Sequence, residues 1–358
     1  MTPDVDPETP DVDPETLDVA RLTPSPPVGA PQAAEAVQAC YALPGDLTRL
    51  PGEADDNFLL DAGHGRRYVV KFAHQRADPA VVGVQVRVLR HIESAAPGLP
   101  VPRVVPAADG QPWTVVPDGP LAGRVLHVLI YLDGRLLRSA DPDRSLLAAA
   151  GRTLAELGRA LRGFDDPQVR RPLLWDLAQL PRLRPLAAER TPGPRTDLIE
   201  AQLTRLAATV PSRLAGLRTQ LVHNDFSPDN TLISADGRAV AGLIDFGDVT
   251  VTALVNDVAI AMANLLADDV DPLGPALDLA SGYHAVTPLT AAELGLLPDL
   301  ILGRIVARII ISEWRAERFP GNRAYVLRNT PGAWRHLDRL LSIGAGQFAA
   351  RIQEAARA

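Results

Sequence analysis

Residues 221–248 read LVHNDFSPDNTLISADGRAVAGLIDFGD. Two apolar runs, NTLIS and RAVAGLIDF, flank Asp236-Gly237, a dipeptide suited to the tight turn of a β-hairpin. What brackets the hairpin is not strand chemistry. His223, Asp225 and Asn230 stand before it in the spacing H-x-D-x-x-x-x-N, and Asp245-Phe246-Gly247 follows it. A hairpin brings its two ends together, so Asn230 and Asp245 are expected face to face, with Asp225 on the loop leading to Asn230. An amide oxygen and a carboxylate are hard donors of the kind magnesium takes. A second carboxylate beside them can position an attacking hydroxyl. Phosphoryl transfer needs that set together with a cation on the nucleotide phosphates. Each signal alone is weak: Asp-Phe-Gly is common in turns, and a lone histidine is more often packed than reactive.

The cation has one outstanding candidate. Lys71, in YVVKFAH at 68–74, is the only lysine among 36 basic residues, the rest being arginine. Accident is one explanation. The other is a position that needs a compact ammonium, for which arginine's planar fork is no substitute. The surrounding pattern favours the second. A short stretch ending near Leu50, then NFLLDA, then RRYVVKFA read as three strands of a meander, with Gly63-His64-Gly65 as turn residues. Lys71 sits on the third strand. The order along the chain is then lysine strand, H-x-D-x-x-x-x-N, hairpin and Asp-Phe-Gly, which is the order of parts in a kinase.

Working outward, PAVVGVQVRVLRHIESA has a proline at a helix start and apolar residues at helical spacing. VPRVVPAADGQPWTVV and RVLHVLIYL read as further strands. Residues 31–132 therefore form a small β-rich nucleotide-binding lobe with one helix. Residues 133–358 form a mostly helical catalytic and substrate-binding lobe, with the hairpin embedded among amphipathic helices. The fold class is α+β and two-lobed, and a cleft between lobes is where a ligand is expected.

Composition sets the remaining bounds. Hydrophobic residues are 46% and charged residues 22%, a globular balance. No apolar run approaches the roughly 20 residues of a membrane helix, and no secretory leader is evident, so a cytoplasmic setting without membrane partners is expected. Cys40 is the single cysteine, which rules out an internal disulfide or a cysteine metal cluster. The net charge of −7 arises in residues 1–20, which hold seven acids and no base and repeat TPDVDPE twice. The remainder carries 36 acids against 36 bases. That neutrality argues against a nucleic-acid polymer as partner. Proline and acid at this density cannot build a core, so residues 1–30 are expected to be a disordered tail, with an acidic docking role as the alternative.

Together these motifs resemble the aminoglycoside phosphotransferase and choline kinase-like superfamily. The H-R-D and A-P-E segments of protein kinases are absent. EADDNFLLD, YVVKFAH, VLIYLDGRLL, LLWDLAQLPRLRPL, HNDFSPDN, GLIDFGDVTVTALVNDVAIAMA and RIVARIIISEWRAERF resemble its hydroxylysine kinase branch, over about residues 45–340. The resemblance implies a protein-kinase-like two-lobed fold, magnesium as cofactor, and ATP or GTP as phosphate donor. It implies Lys71 on the nucleotide phosphates, Asp225 as base or hydroxyl-orienting group, and Asn230 and Asp245 as metal ligands. His223 would shape the loop. Asp257 would tether that loop through backbone amides, or else be a plain helix N-terminal charge. In place of a glycine-rich loop stands PGEADDN, which puts Asp55, Asp56 and Asn57 near the nucleotide. Gln85 stands on the first helix where a glutamate partner for Lys71 would be expected, and Leu129 and Tyr131 belong to the VLIYLDG segment beside the base.

Four further residues are candidates for the acceptor. Asp248 either lines its pocket or ends a strand. Trp175 and Asp176 could grip a cation by ring and charge, or be a core tryptophan and a helix cap. Arg308, with Ser312 one turn on, could take a carboxylate, or pair with a local acid. The expected reaction is phosphorylation of a small-molecule hydroxyl, on an amino-group-bearing metabolite such as a hydroxy amino acid. An aminoglycoside, choline or homoserine kinase, or an inactive pseudokinase scaffold, is the alternative. The intact set of Lys71, Asp225, Asn230 and Asp245 argues against the scaffold.

Overall fold

The computed structural model describes all residues except 1–24, 53, 54 and 358. Most of the expected tail thus lies outside the described residues. Its last part, 25–29, has no regular secondary structure and is attached to the lobe. Val28 is buried, Arg49 donates to its carbonyl, and Arg124 donates to the Pro26 carbonyl. Packed chain therefore begins before residue 30, the limit drawn for the tail.

The first lobe opens with α1 (Ala30–Tyr41), a helix absent from the expected inventory. Its buried stripe is Ala33, Ala36, Val37 and Tyr41, and small alanines make a faint periodic signal. Then come β1 (Asp46–Leu50), β2 (Asp56–Asp61) and β3 (Arg67–Phe72), the expected meander. Helix α2 (Pro79–Ala95) follows, with Asp78 capping it by accepting from the Ala80 N–H at 2.8 Å. β4 (Val104–Val105), β5 (Thr114–Val115) and β6 (Val125–Ile130) complete an antiparallel sheet of order β1-β2-β3-β6-β4, in which β5 also pairs with β6.

Register decides which side chains reach the cleft. Asn57, Lys71 and His127 are directly paired across β2, β3 and β6, so they share one face. Their neighbours Asp56, Phe72 and Leu126 share the other. That second face joins Phe58, Leu60, Val70 and Val128 in a core covered by α1, with Phe58 and Phe72 edge to face at 6.2 Å. Each such buried side chain contributes about 1.5–3 kcal/mol. The alternation places Lys71 toward the second lobe.

The chain crosses between lobes after Ile130, because β7 (Arg135–Leu136) already pairs with β9 of the second lobe. There α3 (Arg144–Ala160), α4 (Arg184–Ala188) and α5 (Pro194–Leu214) precede β8 (Thr219–Val222). The hairpin is β9 (Thr231–Ile233) with β10 (Val240–Leu243), and β11 (Thr250–Ala253) returns to pair with β8. Then follow α6 (Val255–Asn264), α7 (Gly274–Val286), α8 (Ala291–Arg318), α9 (Arg323–Val326), α10 (Thr330–Ile343) and α11 (Ala345–Ala355). The break between α10 and α11 falls at Gly344, whose φ of 78° a helix does not accept. Val84, Val88, Leu89 and Ile92 of α2 belong to the same apolar core as α3 and α5–α8, so the lobes are joined through α2. No helix among the described residues is long and apolar enough to cross a membrane.

Candidate active site

β8 ends at Val222 and delivers the loop HNDFSPDN to the cleft. His223 is fully buried, and its ring meets Phe246 at 4.8 Å in an edge-to-face contact. Burial pushes its imidazole below the ordinary range, so it stays neutral and structural. Asp257, in the first turn of α6, is buried beneath the loop. It accepts from the backbone N–H of His223 at 2.9 Å and of Asn224 at 2.6 Å. Asn224 has a left-handed backbone, φ 65°, which the two bonds hold in place. Asp257 is thus the loop's tether, the first of its two expected roles.

Asp225 points the other way, into the cleft. One carboxylate oxygen accepts from Asn230 Nδ2 at 2.7 Å, and the other lies 3.4 Å from Arg304 Nη2. Asn230 also donates to the Asp225 carbonyl at 3.0 Å. Both bonds use its amide nitrogen and leave its Oδ1 for another partner. Its carbonyl accepts from the Ile244 N–H at 2.9 Å, which draws Asp245 alongside. Asp245 has φ 66°, rare for a residue with a Cβ, and keeps its carboxylate half exposed. Strain of this kind persists where surrounding structure over-determines the backbone, and it gathers at functional positions.

Lys71 comes from the other lobe. Its Nζ lies 3.7 Å from Asp245 and 3.9 Å from Asp55. Asp55, on the β1–β2 loop, also accepts from the His74 N–H at 3.1 Å, so the loop is fastened to the end of β3. The carboxylate partner sought on α2 comes instead from this loop. Gln85 is buried on α2. Asp56 faces away from Lys71: Arg49 at 2.6 Å and Arg124 at 3.0 Å take its carboxylate inside the lobe. Asp56 is therefore a packing residue and is corrected from the nucleotide set, because one step along a strand reverses the face. Asn57 is on the Lys71 face and donates to the Pro51 carbonyl at 3.2 Å. Leu129 is buried in the core at the end of β6. Tyr131 takes the Arg67 guanidinium over its ring at 4.7 Å.

The acceptor candidates divide. Asp176 is buried and caps the helix Leu177–Leu183. It accepts from Ala178 N, Thr252 Oγ1 and Asn256 Nδ2, and burial raises its carboxyl. It is occupied with packing and is corrected from the acceptor set. Trp175 is half-buried, and its ring carries a cation from within the protein, Arg304, at 4.8 Å. Asp248 lies close enough to Arg304 to favour its charge. Arg308 donates to Asn264 Oδ1. Ser312 is buried on α8. Arg304 was missed in the sequence. Its signal, an arginine in an otherwise apolar stretch of α8 four residues before Arg308, identifies only a helical face.

Among the described residues no group of three or more His, Cys, Asp or Glu is placed to hold a metal. Asn230 Oδ1 and the half-exposed Asp245 carboxylate, which accepts from the Gly247 N–H at 3.3 Å, offer hard oxygen donors. That suits magnesium, which takes few protein ligands and completes its shell with water and phosphate oxygens.

Comparison with known proteins identifies the family. The model of the phosphotransferase enzyme family matches residues 46–294, and the chain belongs to that family. It is 24% identical over 318 residues to hydroxylysine kinase of Mus musculus, covering 82% of this chain and 84% of that protein. It is 31% identical over 260 residues to homoserine kinase of Azorhizobium caulinodans, covering 70% and 74%. Amicoumacin kinase hAmiN, solved with AMP-PNP, Ca2+ and Ami, superposes with a TM-score of 0.66 at 19% identity, over 90% of this chain and 93% of that one. The protein is a two-lobed small-molecule kinase that acts on hydroxyl groups.

Proposed function

We propose that this kinase uses magnesium and ATP or GTP, in the cytoplasm, to phosphorylate the hydroxyl of a hydroxy amino acid of the hydroxylysine type. The observation that carries it is the meeting of Lys71 from one lobe with Asp245 from the other, within 3.7 Å, beside the hydrogen-bonded pair Asp225 and Asn230. Lys71 holds the nucleotide phosphates against the first lobe. Asn230 and Asp245 would hold the metal, which would neutralise charge on the transferred phosphoryl group. Asp225 accepts the hydroxyl's hydrogen bond and orients its oxygen. Asn230 Nδ2 holds the Asp225 carboxylate in that pose. The similarity to hydroxylysine kinases supports the acceptor class, and the similarity to homoserine kinases favours homoserine as second choice.

The test is nucleotide consumption with 5-hydroxylysine, its decarboxylated analogue, homoserine, choline and kanamycin. The hydroxy amino acids should lead. Preference for kanamycin or choline would reject the acceptor class and leave the kinase standing.

A further inference from the structure

Two arginines stand one turn apart on α8, beside Asp225. Arg304 is 4% exposed. It donates to the Trp175 carbonyl at 2.9 Å, lies over the Trp175 ring, and approaches Asp225 at 3.4 Å. Its Nε is buried and has no hydrogen-bond partner among the described residues. Arg308 is partly buried against Asn264. Burial first, and then the neighbouring Arg304 charge, push its guanidinium down to about 10. Arg328 adds a third cation near Arg308.

The acids close by do not balance these cations. Asp176 is engaged by its cap and by Thr252 and Asn256. Asp229 is paired with Arg138 at 2.6 Å. Asp225 and Asp248 remain beside Arg304, and Asp225 has work to do on the acceptor. A buried guanidinium with an unused donor is costly unless an anion completes it. Arginine's fork suits a carboxylate in particular.

We propose that Arg304, with Arg308 behind it, receives a carboxylate on the acceptor, so that the enzyme selects alcohols that also carry a carboxylate. This rests on Asp225 orienting the acceptor hydroxyl, as proposed above. Because Arg304 lies 3.4 Å from Asp225, a carboxylate on its unused donor and a hydroxyl on Asp225 can belong to one small acceptor, its carbon chain bridging the two. Binding it also draws Arg304 charge away from Asp225, which frees that oxygen for the hydroxyl. A site built for a buried ionic partner rejects analogues lacking it by about 10²-fold or more. Arg304 therefore takes the role that sequence reasoning gave to Arg308.

The test is kcat/KM for 5-hydroxylysine, its carboxamide and its decarboxylated amine at saturating nucleotide, in wild type, Arg304→Gln and Arg304→Lys. Nucleotide affinity is measured separately by calorimetry. The wild type should favour the acid over the carboxamide by about 10²-fold. Arg304→Gln should bring that ratio to within about threefold, chiefly through KM, with nucleotide affinity unchanged. Arg304→Lys keeps the charge without the fork, should retain part of the ratio, and serves if the Gln variant does not fold. Loss of acid and carboxamide turnover by one common factor, or loss of nucleotide affinity, would overturn the proposal by placing Arg304 on Asp225 or on the phosphoryl group. Equal wild-type rates on acid and amine would overturn it while leaving the hydroxyl kinase intact. Arg304-dependent selection of carboxylates among other alcohols, with hydroxylysine inert, would uphold it and reject the hydroxylysine-type acceptor.

Discussion

Lys71 is held between Asp55 of its own lobe and Asp245 of the other, and that position makes its shape matter as much as its charge. Lys71→Arg should keep the fold and lose about 10²–10³ in turnover, the scale on which misplaced electrostatic stabilisers cost rate. Near-normal kinetics would return the lone lysine to accident. Behind it, His127 is buried on the same face, and burial, then the Lys71 charge, hold its imidazole down to about 3. The unfolded chain binds a proton near the ordinary histidine value of about 6.5 and the folded chain does not, so stability is lost as pH falls through that value. Between pH 7 and 5 the loss is about 2 kcal/mol. His127→Gln should flatten thermal melting over that interval, and an unchanged pH slope would contradict this. At this scale Lys71, Asp225, Asn230 and Asp245 were legible because motif spacing carries them. Asp55 as lysine partner and Arg304 were not, because each reaches its place through tertiary packing of elements far apart in sequence.

The β9–β10 hairpin and the helix α6 place the loop HNDFSPDN, and both can be tested as elements. Asp257→Asn removes an acceptor for one of two buried backbone N–H groups and should destabilise by about 1–3 kcal/mol. The loosened loop should lower kcat more than it raises the nucleotide KM, as read from steady-state kinetics against melting temperature. A second element contact lies far from the chemistry. A Cβ on Gly151 of α3 would stand 1.9 Å from the Leu279 carbonyl oxygen, and one on Gly282 of α7 would stand 2.0 Å from that of Ala148. The two helices meet backbone to backbone at these glycines. Gly151→Ala should therefore cost at least about 1–3 kcal/mol by forcing them apart, while specific activity of the folded fraction stays unchanged. An isolated alanine substitution in a helix would otherwise stabilise it by about 1 kcal/mol, so the sign of the change in denaturant midpoint decides. The meander, α2, α3 and the hairpin were legible from period and turn residues. β8 and β11 were not, since four-residue strands that pair across thirty residues leave no local pattern. The close approach at Gly151 and Gly282 was not legible either, because it depends on how two helices far apart in sequence pack.

At the scale of the molecule, the sheet register of one lobe and the hairpin of the other aim their polar groups at one cleft, and α2 ties the lobes by sharing the larger core. Two lobes were legible from the change from β-rich to helical sequence. The contact of Lys71 with Asp245 was legible only as an order of motifs. The central claim is a division of labour across that cleft, in which Asp245 serves the metal and nucleotide and Asp225 serves the acceptor hydroxyl. The most direct measurement is single-turnover transfer of labelled γ-phosphoryl to 5-hydroxylysine by wild type, Asp225→Asn and Asp245→Asn, with nucleotide affinity determined with and without magnesium. Asp225→Asn should bind magnesium nucleotide as the wild type does and slow the chemical step by about 10²–10⁴, whereas Asp245→Asn should lose the magnesium-dependent part of nucleotide binding. If Asp225→Asn lost nucleotide affinity and Asp245→Asn kept it while slowing only the chemistry, the two roles would be exchanged and the assignment contradicted.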